Sequence, residues 1–87
     1  MKADKASVTL KAGESEQVTI TNSAPGAMNI SLTGSVQGVE VKLDRTILKT
    51  GEKALLTVRA GDNAKPGVLS IQVEQTNQVI PIQVAIR

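Results

Sequence analysis

The chain contains no cysteine, no histidine and no aromatic residue. Each absence closes off a branch of chemistry. Without Cys there is neither a disulfide nor a thiolate nucleophile. Without His there is no Ser-His-Asp triad, and without both there is no zinc site of the usual ligands. Without Phe, Tyr or Trp no ring is available to stack against a sugar or a nucleobase. Neither sign of charge dominates. Ten Lys/Arg stand against eight Asp/Glu, a formal net charge of +2, with the signs interspersed. No basic stripe forms, so nucleic acid is not expected as a partner. No apolar stretch approaches the ~20 residues of a membrane-spanning helix, so no membrane insertion is expected. The opening Met1-Lys2-Ala3-Asp4-Lys5-Ala6-Ser7 lacks the apolar segment of a signal peptide and reads as a polar tail.

What remains is an aliphatic sequence. Eighty-seven residues make one domain, 40% apolar, with Ala, Val, Ile, Leu and Met supplying all of it. Residues 1–6 are assigned to the N-terminal tail and 7–87 to a single folded domain. Period-two alternation runs along the chain. Val18 and Ile20 share a face, as do Met28, Ile30 and Leu32, then Val39, Val41 and Leu43, then Leu56 and Val58 with Ala54 and Ala60 in phase. Leu69, Ile71 and Val73 follow, and Ile80, Ile82, Val84 and Ile86 close the chain. No window shows the spacing of an amphipathic helix. Val, Ile and Thr are abundant, and their branched Cβ favours extended backbone. Thr76-Asn77 reads as a tight hairpin turn. Pro25-Gly26 and Pro66-Gly67 each read as the centre of a type II turn. Pro81 falls inside the last strand, where its missing N–H implies a sheet edge or a bulge.

The chain also repeats. Leu10-Lys11-Ala12-Gly13-Glu14 returns as Leu48-Lys49-Thr50-Gly51-Glu52, displaced by 38 positions (48 − 10), and Val18-Thr19-Ile20 returns as Leu56-Thr57-Val58 at the same offset. Pro25-Gly26 returns as Pro66-Gly67 at an offset of 41 (66 − 25), which also relates Ile30 and Leu32 to Ile71 and Val73. This is pseudo-symmetry between halves of one core, or two similar turn solutions reached independently. Short strands with one apolar face each cannot be buried by a single flat layer. The expected fold is all-β: an immunoglobulin-like sandwich of two antiparallel sheets, about seven strands, without a disulfide.

The run from Gly38-Val39-Glu40-Val41 through Leu48-Lys49-Thr50-Gly51-Glu52 and Leu56-Thr57-Val58 to Ala64-Lys65-Pro66-Gly67 and Ile71-Gln72-Val73 resembles a bacterial pattern. It is similar to the immunoglobulin-like modules found beside carbohydrate-binding domains of glycosidases and in CARDB-like surface repeats. Gly13-Glu14 and Val18-Thr19-Ile20-Thr21-Asn22 match the opening of the same pattern, so the resemblance spans about residues 7–86. Val68 or Leu69 stands in the region where such modules often carry an aromatic residue. The resemblance implies a spacer, presentation or adhesion module of an exported bacterial protein, in the cell envelope or extracellular, with neighbouring domains of the parent chain as partners. As an isolated domain it is expected to be monomeric.

Candidate sites are few. Asp62-Asn63 and Asp44 offer oxygens of the kind calcium takes, but without a D-x-D-x-D cluster they read as turn formers. Glu14 and Glu52 occupy equivalent places after Gly and read as turn residues rather than as an acid–base pair. Ser7, Ser31 or Ser70 with a lysine has no motif behind it. No enzyme, cofactor or metal is expected. Leu55, Val68 and Val79 lie out of phase with their strands' apolar faces, and with Met28 or Ile47 they would form an exposed patch, or else stand singly. Gln72, Gln75, Asn77, Gln78 and Gln83 collect around the last hairpin as an amide-rich surface suited to edge pairing with a partner. The expected function is a structural or spacer module, the alternative a protein- or polysaccharide-binding module using an edge strand or loop end.

Overall fold

The computed structural model covers residues 1–87. It contains nine strands and no helix. They are β1 (Lys2–Ala3), β2 (Ser7–Leu10), β3 (Ser15–Thr21), β4 (Met28–Thr33), β5 (Val39–Leu43), β6 (Ile47–Leu48), β7 (Lys53–Ala60), β8 (Gly67–Val73) and β9 (Gln78–Ile86). The first sheet has the order β1-β3-β7-β5 and the second β2-β9-β8-β4-β6. About seven strands were expected; β1 and β6 are two-residue edge pieces. Every pairing is antiparallel except β2 with β9, which run parallel from Ser7 opposite Gln83 to Leu10 opposite Ile86.

Alternation explains the packing. Each long strand turns one set of aliphatics inward, and sixteen buried residues form the core, from Val8 and Leu10 to Ile82 and Val84. All are Val, Leu, Ile or Ala, so branched side chains interdigitating between the sheets do the filling that aromatic rings do elsewhere. Asn22 is the one buried polar residue. Its Nδ2 donates to Gly26 O (3.0 Å) and to Leu48 O (2.9 Å), and its Oδ1 accepts from Ala24 N–H (3.0 Å). A buried amide is tolerated only when so paired.

The repeat is a true pseudo-dyad. Within the first sheet Val18 lies opposite Leu56, its own counterpart at the 38-residue offset. Within the second, Ser31 lies opposite Gln72, its counterpart at the offset of 41. An approximate two-fold axis therefore passes through both layers. The turns obey it. Lys11 N–H donates to Glu14 Oε1 (2.7 Å) as Lys49 N–H does to Glu52 Oε1 (2.8 Å). Gly13 N–H bonds Ala60 O as Gly51 N–H bonds Asn22 O, both at 2.8 Å. Ala60 N–H bonds Glu14 O (2.9 Å) as Asn22 N–H bonds Glu52 O (3.0 Å). Each half thus caps the turn of the other. The last strand, β9, breaks the symmetry by joining the second sheet between β8 and β2.

Four expectations need correction. Residues 1–6 are not a free tail. Lys2 and Ala3 pair with Thr21 and Ile20, and Asp4 closes the pairing with its carboxylate on Thr19 N–H (2.8 Å). Pro81 is not on an edge strand or bulge, because β9 lies inside its sheet with Pro81 opposite Ser70. Gln83 N–H points toward β2, donating to Ala6 O (2.9 Å). Pro81, two residues earlier, aims its nitrogen to the same side. β2 begins opposite Gln83 and leaves that stretch uncovered, so no ladder bond is lost. Pro66-Gly67 is not a type II turn centre. Gly26 has the left-handed φ of 90° that such a turn requires, whereas Gly67 is ordinary β8 backbone. A Cβ on Gly67 would sit 3.1 Å from Val36 Cγ2, so glycine serves there for close approach. Finally, the last hairpin is a four-residue loop between Val73 and Gln78, with Asn77 at φ 56°.

Candidate interaction surface

The structure separates most of the residues singled out in the sequence. Glu14 and Glu52 cap turns at opposite ends of β3 and β7, eight strand residues (22 − 14) or about 27 Å apart. Their remaining contacts are exposed ion pairs, Arg87 with Glu14 (3.6 Å) and Arg45 with Glu52 (3.3 Å). Asp44 ends β5 much as Asp4 ends β1, with its carboxylate on Leu55 N–H (2.7 Å). No group of three or more acidic residues comes together anywhere. Ser31 and Ser70 lie on strand positions of the second sheet's outer face, where no lysine stands. Lys5 has its pKa raised above the ordinary 10.5, chiefly by the hydrogen bond to Glu16 (2.8 Å), but it lies on the exposed surface and marks no site.

The five amides also divide. Gln75 Oε1 accepts Asn29 N–H (2.8 Å), so it caps the start of β4. Gln78 holds the N-terminus, with Nε2 on Met1 O (3.0 Å) and Oε1 on the terminal amine (3.3 Å). Asn77 supplies the left-handed turn residue. Only Gln72 and Gln83 lie on a sheet face, neither at a sheet edge. The apolar patch divides too: Met28 packs against the core and Leu55 lies half-buried on the first sheet.

A different surface emerges once strands are assigned to sheets. On the second sheet β9 turns Val79, Pro81, Gln83 and Ala85 outward, and β8 turns Val68, Ser70 and Gln72. β4 adds Asn29, Ser31 and Thr33, β2 adds Ser7 and Thr9, and β6 adds Ile47. Not one of these positions carries a charge. The three exposed large hydrophobics of the molecule, Ile47 (58%), Val68 (52%) and Val79 (55%), all lie among them. The first sheet's outer face has the opposite character, with Lys2, Lys53, Arg59, Glu40 and Lys42 on its strands. An open depression of about 490 Å³ lies at one end of the sandwich, lined by Gly13, Gly38 and Gly61 with Glu40, Arg59 and Asp62. It mixes both signs of charge and holds no converging set of groups.

No family model matches the chain, and no curated protein matches it in sequence. Solved structures do match in shape. Domains 4 and 5 of the S-layer protein SbsC superpose with a TM-score of 0.68 at 13% identity, covering 97% of this chain and 50% of that one. A Bacteroides ovatus GH5 xyloglucanase, solved with a XXXG heptasaccharide, superposes with a TM-score of 0.64 at 18% identity, covering 97% of this chain and 18% of the enzyme. What they share with this chain is the fold. The chain spans half the length of the first and under a fifth of the second. No helix in it is long and apolar enough to cross a membrane.

Proposed function

We propose that this chain is a non-catalytic, immunoglobulin-like module of a larger bacterial cell-surface or secreted protein, and that it acts as a rigid spacer between neighbouring domains. The observation that carries this reading is the position of the chain ends. Met1 is bonded to Gln78 at the start of β9, and Arg87 follows the end of the same strand, its N–H on Leu10 O (3.0 Å). Nine residues of strand separate them, about 30 Å. The molecule measures 40 × 18 × 17 Å, so its ends lie toward opposite poles of the long axis. Copies or neighbours joined there stack end to end rather than side by side. The fold's occurrence within two longer and unlike chains supports the same reading. So does the lack of any thiol, imidazole or aromatic side chain.

The test joins two copies in tandem through a short linker and measures the pair by small-angle scattering. An extended particle of about twice the single-domain length supports the spacer, and a particle folded back on itself counts against it. Melting of the single domain is then followed with neutral polysaccharides, unstructured peptides and calcium. A spacer melts at one temperature throughout, whereas a binding module is stabilised by its ligand.

A further inference from the structure

We infer that the uncharged outer face of the second sheet is a self-association surface, on which a second copy of this chain docks sheet against sheet. This goes beyond the spacer reading and does not depend on it.

Three observations converge on the face. The first is apolar content. Val79 and Pro81 are consecutive outward residues of β9, and Val68 on β8 is diagonal to Pro81, since Val68 lies opposite Gln83. They form one oblique strip across the middle of the sheet, within reach of one another. Val68 and Val79 are more than half exposed, and hydrophobic side chains concentrated on one face mark a contact surface more than scattered ones do.

The second is charge. A molecule of net charge +2 repels its own copies, and charged side chains are costly to strip of water. On this face no charge is stripped of water, because every outward strand position is neutral, and no like charges are brought into contact. The charged residues of the first sheet stay in water on the far side of each copy. A neutral face suits a neutral partner, and the same face of a second copy is one. The residues around the strip are mostly Ser, Thr and Ala, with little rotamer entropy to lose. Their hydroxyls, with the amides of Gln72 and Gln83, supply donors and acceptors that can pair across a two-fold axis. A sugar polymer is a poorer fit, because no aromatic ring is present to stack it.

The third is size. The face follows the long axis of a molecule of 40 × 18 × 17 Å, so it is bounded by roughly 700 Å² (40 × 18) per copy, somewhat under the ~800 Å² per partner of an ordinary specific interface. With a modest apolar strip at its centre, the contact is expected to be weak, with a dissociation constant on the order of 10⁻⁴ M. The domain is then monomeric when dilute and paired when its copies are crowded.

Sedimentation equilibrium of the 87-residue chain from about 10 μM to 1 mM tests this. The expected result is a reversible monomer–dimer equilibrium that high salt does not weaken, since no charge pairs meet across it and screening only relieves the net repulsion. Val68→Glu and Val79→Glu place a charge in the contact and should each weaken it at least tenfold. Both sites are exposed, and unchanged melting temperatures confirm that the fold survives. Leu55→Lys, on the opposite face, should leave association unaltered. A chain that stays monomeric at 1 mM overturns the proposal. So does a dimer that tolerates both glutamates, one that dissolves with Leu55→Lys, or one that weakens steeply with salt.

Discussion

The two halves of the sandwich use the same turn and strand plan, yet they do not carry the same burden. Residues 22 and 60 are dyad counterparts, and their backbones make matching hydrogen bonds to Glu52 and Glu14. One is Asn, the other Ala. After β3 the chain must cross to the second sheet through the Ala24-Pro25-Gly26 turn, and the Asn22 side chain holds that crossing to Leu48. After β7 the chain crosses through the 61–66 loop, and Ala60 suffices. Backbone symmetry thus fixes the strands and the reciprocal turn bonds, while the connections between layers are solved separately in each half.

Substitutions put this contrast between the halves to the test. The axis itself should be the most sensitive place. Leu56→Ala should cost about 2–5 kcal/mol, and Val18→Ala distinctly less, because a smaller side chain leaves a smaller cavity; urea unfolding measures both. Asn22→Ala should cost about 1–3 kcal/mol by removing three side-chain hydrogen bonds at a buried site. An equal loss on replacing Ala60 with Gly, which removes no side-chain hydrogen bond, would show that the asymmetry is not in the amide. Gly26→Ala should cost about 1–2 kcal/mol through strain at positive φ. At Gly67 the cost should come from Val36 instead, so Val36→Ala should recover it in a double-mutant cycle while leaving the Gly26 penalty intact. Glu14→Ala and Glu52→Ala should each cost about 0.5–1.5 kcal/mol and add without coupling. Least affected should be Lys5, whose pair with Glu16 has no counterpart. Its raised pKa means that the pair's contribution is present below the unfolded value near 10.5 and is lost as pH rises through the folded one. At neutral pH in high salt, Lys5→Met should leave the melting curve unmoved.

Much of this architecture is legible in the residues. Alternation of Val and Ile with Thr, Ser and Gln gives each strand and its inward face, and the K-x-G-E strings give the dyad. What alternation omits is which strands share a layer. Ile47, Val68 and Val79 stand far apart in the chain, and alternation leaves open whether they share a patch, with Leu55 or Met28, or stand singly. Only the order β9-β8-β4-β6 collects them, and only then does the missing charge become a property of a face. The amides around the last hairpin show the converse. Their composition suggests a surface, but Gln75 and Gln78 are already bonded to Asn29 and Met1, contacts between residues 46 and 77 positions apart that no local pattern reveals. Pro81 and Gly67 carry the same lesson, since each is explained by a neighbour from another part of the chain.

The parallel pairing of β2 with β9 decides how the molecule meets force. A pull on the two termini draws β2 toward one pole and β9 toward the other, along the strands rather than away from them. The rungs from Ser7–Gln83 to Leu10–Ile86 then bear load side by side and must give way together. Tension applied along the chain therefore meets a short, stiff latch, and the unit should hold its length until that latch yields.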